Sequence, residues 1–542
     1  MISEEPITYY TALDLPPKGL PTTQFDMYIA EEIGFEKLDI LSQRGIGHIK
    51  ESVEIIKENR KEKIDVFDID NFKKDEKIKA QLRSGDTIGC FYVESPAMRN
   101  LLKKLKCSDY LTLVAASSII RPGVSKSGMM KAYIERFHDP KKIDYLHPVM
   151  KEQLKETYGV MVYQEDVLKV GHYFGGLDLS EADVLRRLMS GKNRGRHHLL
   201  EIEEKFFENC KKKGYEERIS REVWRQIESF AGYSFSKAHS ASFAVESFQS
   251  LFLKTYYPLE FMIAVINNFG GFYRTWVYVN EAKKAGGIIC LPCVNNSNKF
   301  TRVIGKKVYL GFLHMKGIEH GTIESIEKER EREGSFSSLE NFVKRTGIDL
   351  EQLVLLIRIG ALRSCKENKR ELLWEAHLYY SGRTKEKKEE TLSLFETEKI
   401  EYELPKLRQS KLEDAYDEIE ILEFPVSLTE FELLKSNPEE LTSTIANQLS
   451  ELEGKTVQVL GNYVCYKPIK TSKGDAMAFG TFLDKNGDFF DTVHFPENLK
   501  KYGFQGKGVY SIKGKVMVEF GFPVVETIKM EKLTIQEDPR VI

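Results

Sequence analysis

The spacing of apolar residues changes character along this chain, and that change limits the folds open to it. Between Asp86 and Tyr257 the pattern is mostly helical, as in Phe248, Leu251, Phe252 and Tyr256, and Pro258 closes the run. Another helical stretch follows Pro258. From Lys455 onward, Val457-Gln-Val-Leu460, Ala476-Met-Ala-Phe-Gly-Thr-Phe-Leu483 and Val509-Tyr-Ser-Ile-Lys-Gly514 read as short strands, with Asp484-Lys-Asn-Gly487 as a hairpin turn. A chain of 542 residues is too long for one core, so several domains are expected, mainly helical first and β-rich last.

Apolar residues make up 41% and charged residues 30% of the chain, the balance of an ordinary soluble protein. No apolar run is long enough for a bilayer, and the first residues lack a basic-then-apolar signal, so a cytoplasmic protein with no membrane partner is expected. The 7 cysteines are odd in number and scattered, which argues for reduced thiols. Cys290-Leu-Pro-Cys293 has metal-ligand spacing, but no second Cys or His pair follows, and its surroundings read as strand and turn.

The net charge of −2 does not by itself indicate nucleic acid; local clusters do. Arg186, Arg187, Lys192, Arg194, Arg196, His197 and His198 form one positive stretch. Some 40 residues later comes Gly-Tyr-Ser-Phe-Ser-Lys-Ala-His-Ser, from Gly232 to Ser240. Guanidinium forks, an ammonium, an imidazole and small hydroxyl residues together suit a polyphosphate. Taken singly, each is as readily a salt bridge or a helix cap.

The wider string is more specific. Tyr158-Gly-Val-Met-Val-Tyr-Gln-Glu-Asp166, Ala182-Asp-Val-Leu-Arg-Arg-Leu-Met189, Phe230-Ala-Gly-Tyr-Ser-Phe-Ser-Lys-Ala-His239 and Tyr256-Tyr-Pro-Leu-Glu-Phe261, in this order, resemble the fingers of the bacterial replicative DNA polymerase III alpha subunit. Gly89-Cys-Phe-Tyr-Val-Glu-Ser95 and Ile120-Arg-Pro-Gly123 extend the likeness upstream. The resemblance implies an enzyme that adds dNMPs to a primer 3′ end during DNA replication. It also implies that Arg186, Arg187, Lys237, His239, Ser240 and Arg121 bind the incoming nucleotide.

Lys316-Gly-Ile-Glu-His-Gly321 and Ile357-Arg-Ile-Gly-Ala-Leu362 resemble tandem helix-hairpin-helix units. Lys316, Gly317, Gly321 and Gly360 are the expected DNA-binding positions, where backbone amides can meet a phosphate without reading bases. Either turn alone is equally a plain helix connection. Between Ser381 and Glu401 the charged chain carries Thr391-Leu-Ser-Leu-Phe395. Its Leu392, Leu394 and Phe395 resemble a sliding-clamp docking peptide, with Thr391 in place of the usual glutamine; a small amphipathic helix folding back is the alternative. The last strands suggest an OB-type barrel, in which Tyr463, Tyr466, Lys467, Lys470 and Lys473 favour single-stranded nucleic acid over a protein partner.

The fold class expected is thus multidomain α+β, with helical fingers, a helix-hairpin-helix region and a C-terminal OB-type β-barrel. The divisions follow the likeness: residues 1–50 end a palm domain, 51–257 are fingers, 258–365 the helix-hairpin-helix domain, 366–450 a charged linker with the clamp peptide, and 451–542 the OB-fold. By the same resemblance Asp39, beside Lys37, is a catalytic carboxylate and metal ligand for Mg2+. The earlier Asp-x-Asp pair of the family has no counterpart here; Asp68-Ile-Asp70 follows Asp39 and lies in a charged connector. The chain is therefore expected to be a C-terminal fragment, inactive alone, with primed template DNA, dNTP, the sliding clamp and other replisome subunits as partners. The alternative is a non-catalytic scaffold that binds DNA and the clamp.

Overall fold

A computed structural model describes residues 3–15, 20–35, 44–120, 128–190, 196–229, 236–366, 368–383, 407, 409–441, 444–471 and 473–541. The chain divides into two compact units, residues 1–44 and 45–542. In the first, Leu13–Asp14 pairs antiparallel with Thr22–Thr23, a helix covers Met27–Glu32, and the rings of Phe25 and Phe35 stack 5.7 Å apart.

The second unit opens with helices whose ends are written in the sequence. Helix α1 (Glu76–Ser84) starts at Asp75, whose carboxylate accepts from the amides of Lys77 and Ile78, and it stops at Gly85 with φ +62°. Helix α2 (Pro96–Leu105) is capped by Ser95 and has proline in its first turn. Between them, the carboxylate of Glu94 accepts from the amides of Gly89 and Phe272 and from the hydroxyl of Tyr278. Gly89 holds φ +81°, and a Cβ there would come within 2.7 Å of Met262. The Gly89–Ser95 string is thus a tight turn closed on a buried carboxylate.

Helix α3 (Tyr110–Ile119) is buried almost throughout. Further along come α4 (Gln164–Lys169), α5 (Leu179–Ser190) and the 20-residue α6 (Lys237–Tyr256). Small residues let α3 and α6 approach: Ser118 donates to the Ser240 hydroxyl at 2.7 Å, and Tyr110 donates to the carbonyl of Ala241. Helix α6 ends where Pro258 begins α7 (Pro258–Asn267), followed by α8 (Thr275–Lys284).

Near its end α6 buries Lys254, which is 6% exposed. The ammonium donates to the carbonyl of Ile88 at 2.9 Å and pairs with Asp86 at 3.0 Å and Glu281 at 3.1 Å. Burial pulls this lysine's pKa down, but the two carboxylates outweigh it and hold the group above the usual lysine range. One cation thereby joins α6, the turn after α1, and α8.

Beyond α8, a small sheet pairs Ile288–Cys290 parallel with Lys307–Tyr309, which pairs antiparallel with Arg302–Ile304. Helices α9 (His320–Glu333), α10 (Leu350–Arg358), α11 (Lys369–Arg383) and α12 (Lys411–Leu422) follow. The last two fall in the segment expected as a charged linker. They pack instead: Leu372, Ala376 and Ala415 are buried, and Asp417 takes ion pairs from Lys369, Arg358 and Arg540. Charges that face one another inside a fold carry the same composition as a solvated linker.

Strands β1 (Thr456–Lys470), β2 (Ala476–Leu483), β3 (Phe489–His494), β4 (Val509–Glu519) and β5 (Phe522–Lys532) close into a barrel. The order β1-β2-β3-β5-β4, returning to β1, with β3 and β5 parallel, is the OB arrangement. Asp484 turns the β2–β3 hairpin by accepting from the amides of Asn486 and Asp488. The barrel sits on α2 and α8. The Arg99 guanidinium lies 4.2 Å over the Phe489 ring, Asn100 donates to Asp491, and Lys284 pairs with Asp488.

Two outcomes follow. Lys254→Met leaves Glu281 buried without its cation and is expected to destabilise the protein by about 3–5 kcal/mol in denaturant unfolding; a loss under 1 kcal/mol contradicts the keystone role. His494 lies fully buried in the barrel, hydrogen-bonded to Thr492 at 2.8 Å, and burial lowers its pKa from 6.5 to about 4. The unfolded chain binds that proton first, so the contribution is whole above pH 6.5 and lost as pH falls towards 4. Stability is expected to drop by about 2 kcal/mol between pH 7 and 5 relative to His494→Gln; identical pH profiles contradict it.

Candidate functional site

Helix α5 turns Ala182, Leu185 and Met189 into the core, which leaves Asp183, Arg186 and Arg187 on its outer side. Asp183 serves both arginines, accepting from Arg186 at 2.8 Å and from Arg187 at 3.0 Å. The Arg186 fork also donates to Gln164 Oε1 at 3.1 Å. The Arg187 side chain is 64% exposed.

Gln164 opens α4, and its neighbour Glu165 accepts from the backbone amide of Lys237, the first residue of α6, at 2.9 Å. Two consecutive residues of one short helix therefore fasten the arginine helix and the start of α6. Asp166 fixes α4 itself, accepting from the amides of Val162 and Tyr163 at 2.9 Å each. Burial pushes this carboxyl up to about 6 despite those two donors.

At the start of α6, Ser236 caps the amide of His239. The ammonium of Lys237 contacts both oxygens of Glu156, at 2.6 and 2.7 Å, and stands 5.4 Å from the Tyr163 ring centre. The His239 ring lies 4.0 Å from Phe243, which meets Phe91 and Tyr92 edge-on. Tyr92 has φ +67°, a strained backbone for a side-chain-bearing residue. Ser240 is fully buried, with its hydroxyl taken up by Ser118, and serves the α3–α6 contact rather than the surface.

Arg186 and the backbone amide of Lys237 thus both meet the start of α4, with Arg187 beside Arg186 on Asp183 and His239 two residues beyond Lys237; Ser240 is turned to α3 instead. Arg121, Asp39, Lys37, Leu392, Leu394 and Phe395 lie outside the described residues. Sequence reasoning assigned no role to Glu156, Asp183, Gln164, Glu165 or the shelf of Phe243 and Tyr92. Only the i, i+3 and i, i+4 spacing of Asp183 to the arginines was legible. Among the described residues no three His, Cys, Asp or Glu side chains gather as a metal site.

The first glycine turn is built around Gln352, which accepts from the amide of Glu319 and donates to the carbonyl of Gly317. Gly317 has φ +86°, and the amide of Lys316 donates to Ile421. Gly321, in the first turn of α9, faces open space. Gly360, with φ +75°, ends α10, its amide donating to Ile357. Among the described residues no helix is long and apolar enough to cross a membrane.

Known proteins match this sequence. Residues 46–214 fit the family model for the bacterial DNA polymerase III alpha subunit finger domain, and residues 286–372 fit that of the helix-hairpin-helix motif. Arg186 and Arg187 lie within the first match; Lys237 and His239 follow it. The DNA polymerase III subunit alpha of Staphylococcus aureus (strain MRSA252) is 33% identical over 515 residues, covering 93% of this chain and 46% of the relative. That of Aquifex aeolicus (strain VF5) is 30% identical over 504 residues, covering 92% and 42%. The chain spans somewhat under half the length of these relatives. By these matches the chain is a relative of the bacterial DNA polymerase III alpha subunits, with a finger domain of that family at residues 46–214 and a helix-hairpin-helix motif at residues 286–372.

Proposed function

We propose that this chain supplies the nucleotide-binding fingers and the DNA-binding modules of a template-directed DNA polymerase, which transfers deoxynucleoside monophosphate to a primer 3′ end in replication. The observation that carries the reading is the joint anchoring of Arg186 and Lys237 by Gln164 and Glu165. Cations held in one place by the fold stabilise the charge of a transferring triphosphate without reorganising during the reaction. Arg186 and Arg187 grip phosphate oxygens, Lys237 adds a point charge, and His239 with Phe243 borders the nucleoside. By resemblance Arg121 is a further nucleotide-binding residue, and Ser240 contributes by fixing α6.

A divalent metal, Mg2+ by resemblance, activates the primer hydroxyl and steadies the leaving pyrophosphate when bound. Asp39, beside Lys37, would be one of its ligands. Primer and template phosphates meet the two glycine turns at Lys316, Gly317, Gly321 and Gly360, where small residues allow close approach. Leu392, Leu394 and Phe395 dock on a sliding clamp, and the barrel binds single-stranded template. This corresponds to a division into the end of a palm (1–50), fingers (51–257), helix-hairpin-helix region (258–365), clamp-binding segment (366–450) and OB domain (451–542), acting in the cytoplasm with other replisome subunits.

The test is a deoxynucleoside triphosphate titrated onto the chain with primed template DNA. Replacing both Arg186 and Arg187 by alanine is expected to weaken affinity by at least about 100-fold, since each charge-assisted contact contributes about 1.5–3 kcal/mol. Circular dichroism should be unchanged, showing that the fold survives the loss of the two side chains. Undiminished affinity removes the pair from the site and favours the scaffold reading, in which the chain binds DNA and clamp without nucleotide.

A further inference from the structure

All three cations anchored at α4 and α5 already hold carboxylates. Asp183 takes Arg186 and Arg187, and Glu156 takes the ammonium of Lys237. Glu165 takes the amide of that same lysine. The carboxylates differ in how firmly they are built in. Glu165 is half-buried and joins two helices, so its removal would loosen the start of α6.

Glu156 stands on the short turn Lys155–Thr157, with its side chain 53% exposed, and both oxygens of its carboxylate accept from Lys237. That turn is rigid: Thr157 is buried, and the carbonyl of the next residue, Tyr158, accepts from Arg136. Two oxygens at 2.6 and 2.7 Å from one ammonium is the contact a phosphate would make. Solvent-exposed pairs of this kind hold weakly, so a multiply charged anion can displace the carboxylate at little cost. The buried Tyr163 ring, 5.4 Å from the ammonium, gives the lysine a second contact besides Glu156.

We propose that Glu156 is a place-holder for a phosphate group: an exchangeable internal anion on Lys237 that the incoming triphosphate must displace, and that sets how strongly polyphosphate is preferred over weaker anions. This rests on the reading of Arg186, Arg187 and Lys237 as the phosphate site. No bond is made or broken; a carboxylate swings to solvent and a phosphate oxygen takes its place.

The experiment uses the full 542-residue chain, with inorganic tripolyphosphate as the probe, followed by calorimetry. Glu156→Gln keeps the shape and removes the charge, and is expected to bind about two- to fivefold more tightly than the parent. The gain should vanish in a Lys237→Met background, since it acts through that ammonium. Unchanged or weaker binding by Glu156→Gln overturns the proposal, as does a gain that persists undiminished without Lys237, which would reflect only the general field. If Arg186→Gln with Arg187→Gln also leaves binding intact, or if the parent binds no tripolyphosphate at millimolar concentration, the phosphate-site reading falls and the proposal with it. If that double variant loses binding while Glu156→Gln changes nothing, the site stands and only the place-holder is wrong.

Discussion

A single buried ammonium, that of Lys254, sets the frame on which the candidate site is hung. It ties the end of α6 to the carbonyl of Ile88, to Asp86 and to Glu281. A cation out of water is costly unless its hydrogen bonds and countercharges are complete, so the three segments must meet in one register. The Glu94 turn stands beside this point, drawing the amides of Gly89 and Phe272 to one carboxylate. Together they fix the far end of α6, while Ser236 and Glu165 fix its start. The helix is thus held at both ends, and the side chains at its start inherit that rigidity.

Rigidity matters because the candidate site works by electrostatics. Its cations are not poised naked in solvent, where side-chain freedom would blunt their aim; each is already engaged by a carboxylate or an amide oxygen. Such an arrangement holds the cations in place before an anion arrives. The aromatic shelf of Phe243, Tyr92 and Phe91 continues from His239 and gives the same corner an apolar wall. The strained backbone of Tyr92 is the kind of local cost that folds tolerate where a side chain must be aimed.

Much of the architecture was legible because it rests on local rules. The helical run closed by Pro258, the hairpin at Asp484–Gly487 and the change to strand alternation all depend on residues a few positions apart. The Arg186–Arg187 pair and the Gly232–Ser240 run were legible through their chemistry and order. What escaped depends on distance along the chain. Lys237 and Glu156 stand 81 residues apart, and nothing in their spacing joins them. Ser240 reads as one more small hydroxyl in a phosphate-like run, yet its place on α6 turns it to Ser118. Lys369 and Asp417 looked like linker charges because composition cannot tell an inward ion pair from a solvated one.

Similar logic governs the modules after the fingers. Gln352 spends both ends of a buried amide on the Gly317 turn, so that turn is preformed. The barrel, closed in OB order, is docked through Arg99 and Phe489 rather than left on a tether. The candidate site depends on the start of α4 holding α5 and α6 in place around a phosphate. The most direct measurement is an experimental structure of the chain with primed template DNA and a deoxynucleoside triphosphate. The account predicts triphosphate oxygens within hydrogen-bond distance of both Arg186 and Lys237; a triphosphate seated elsewhere, with those two side chains still on Asp183 and Glu156, would contradict it.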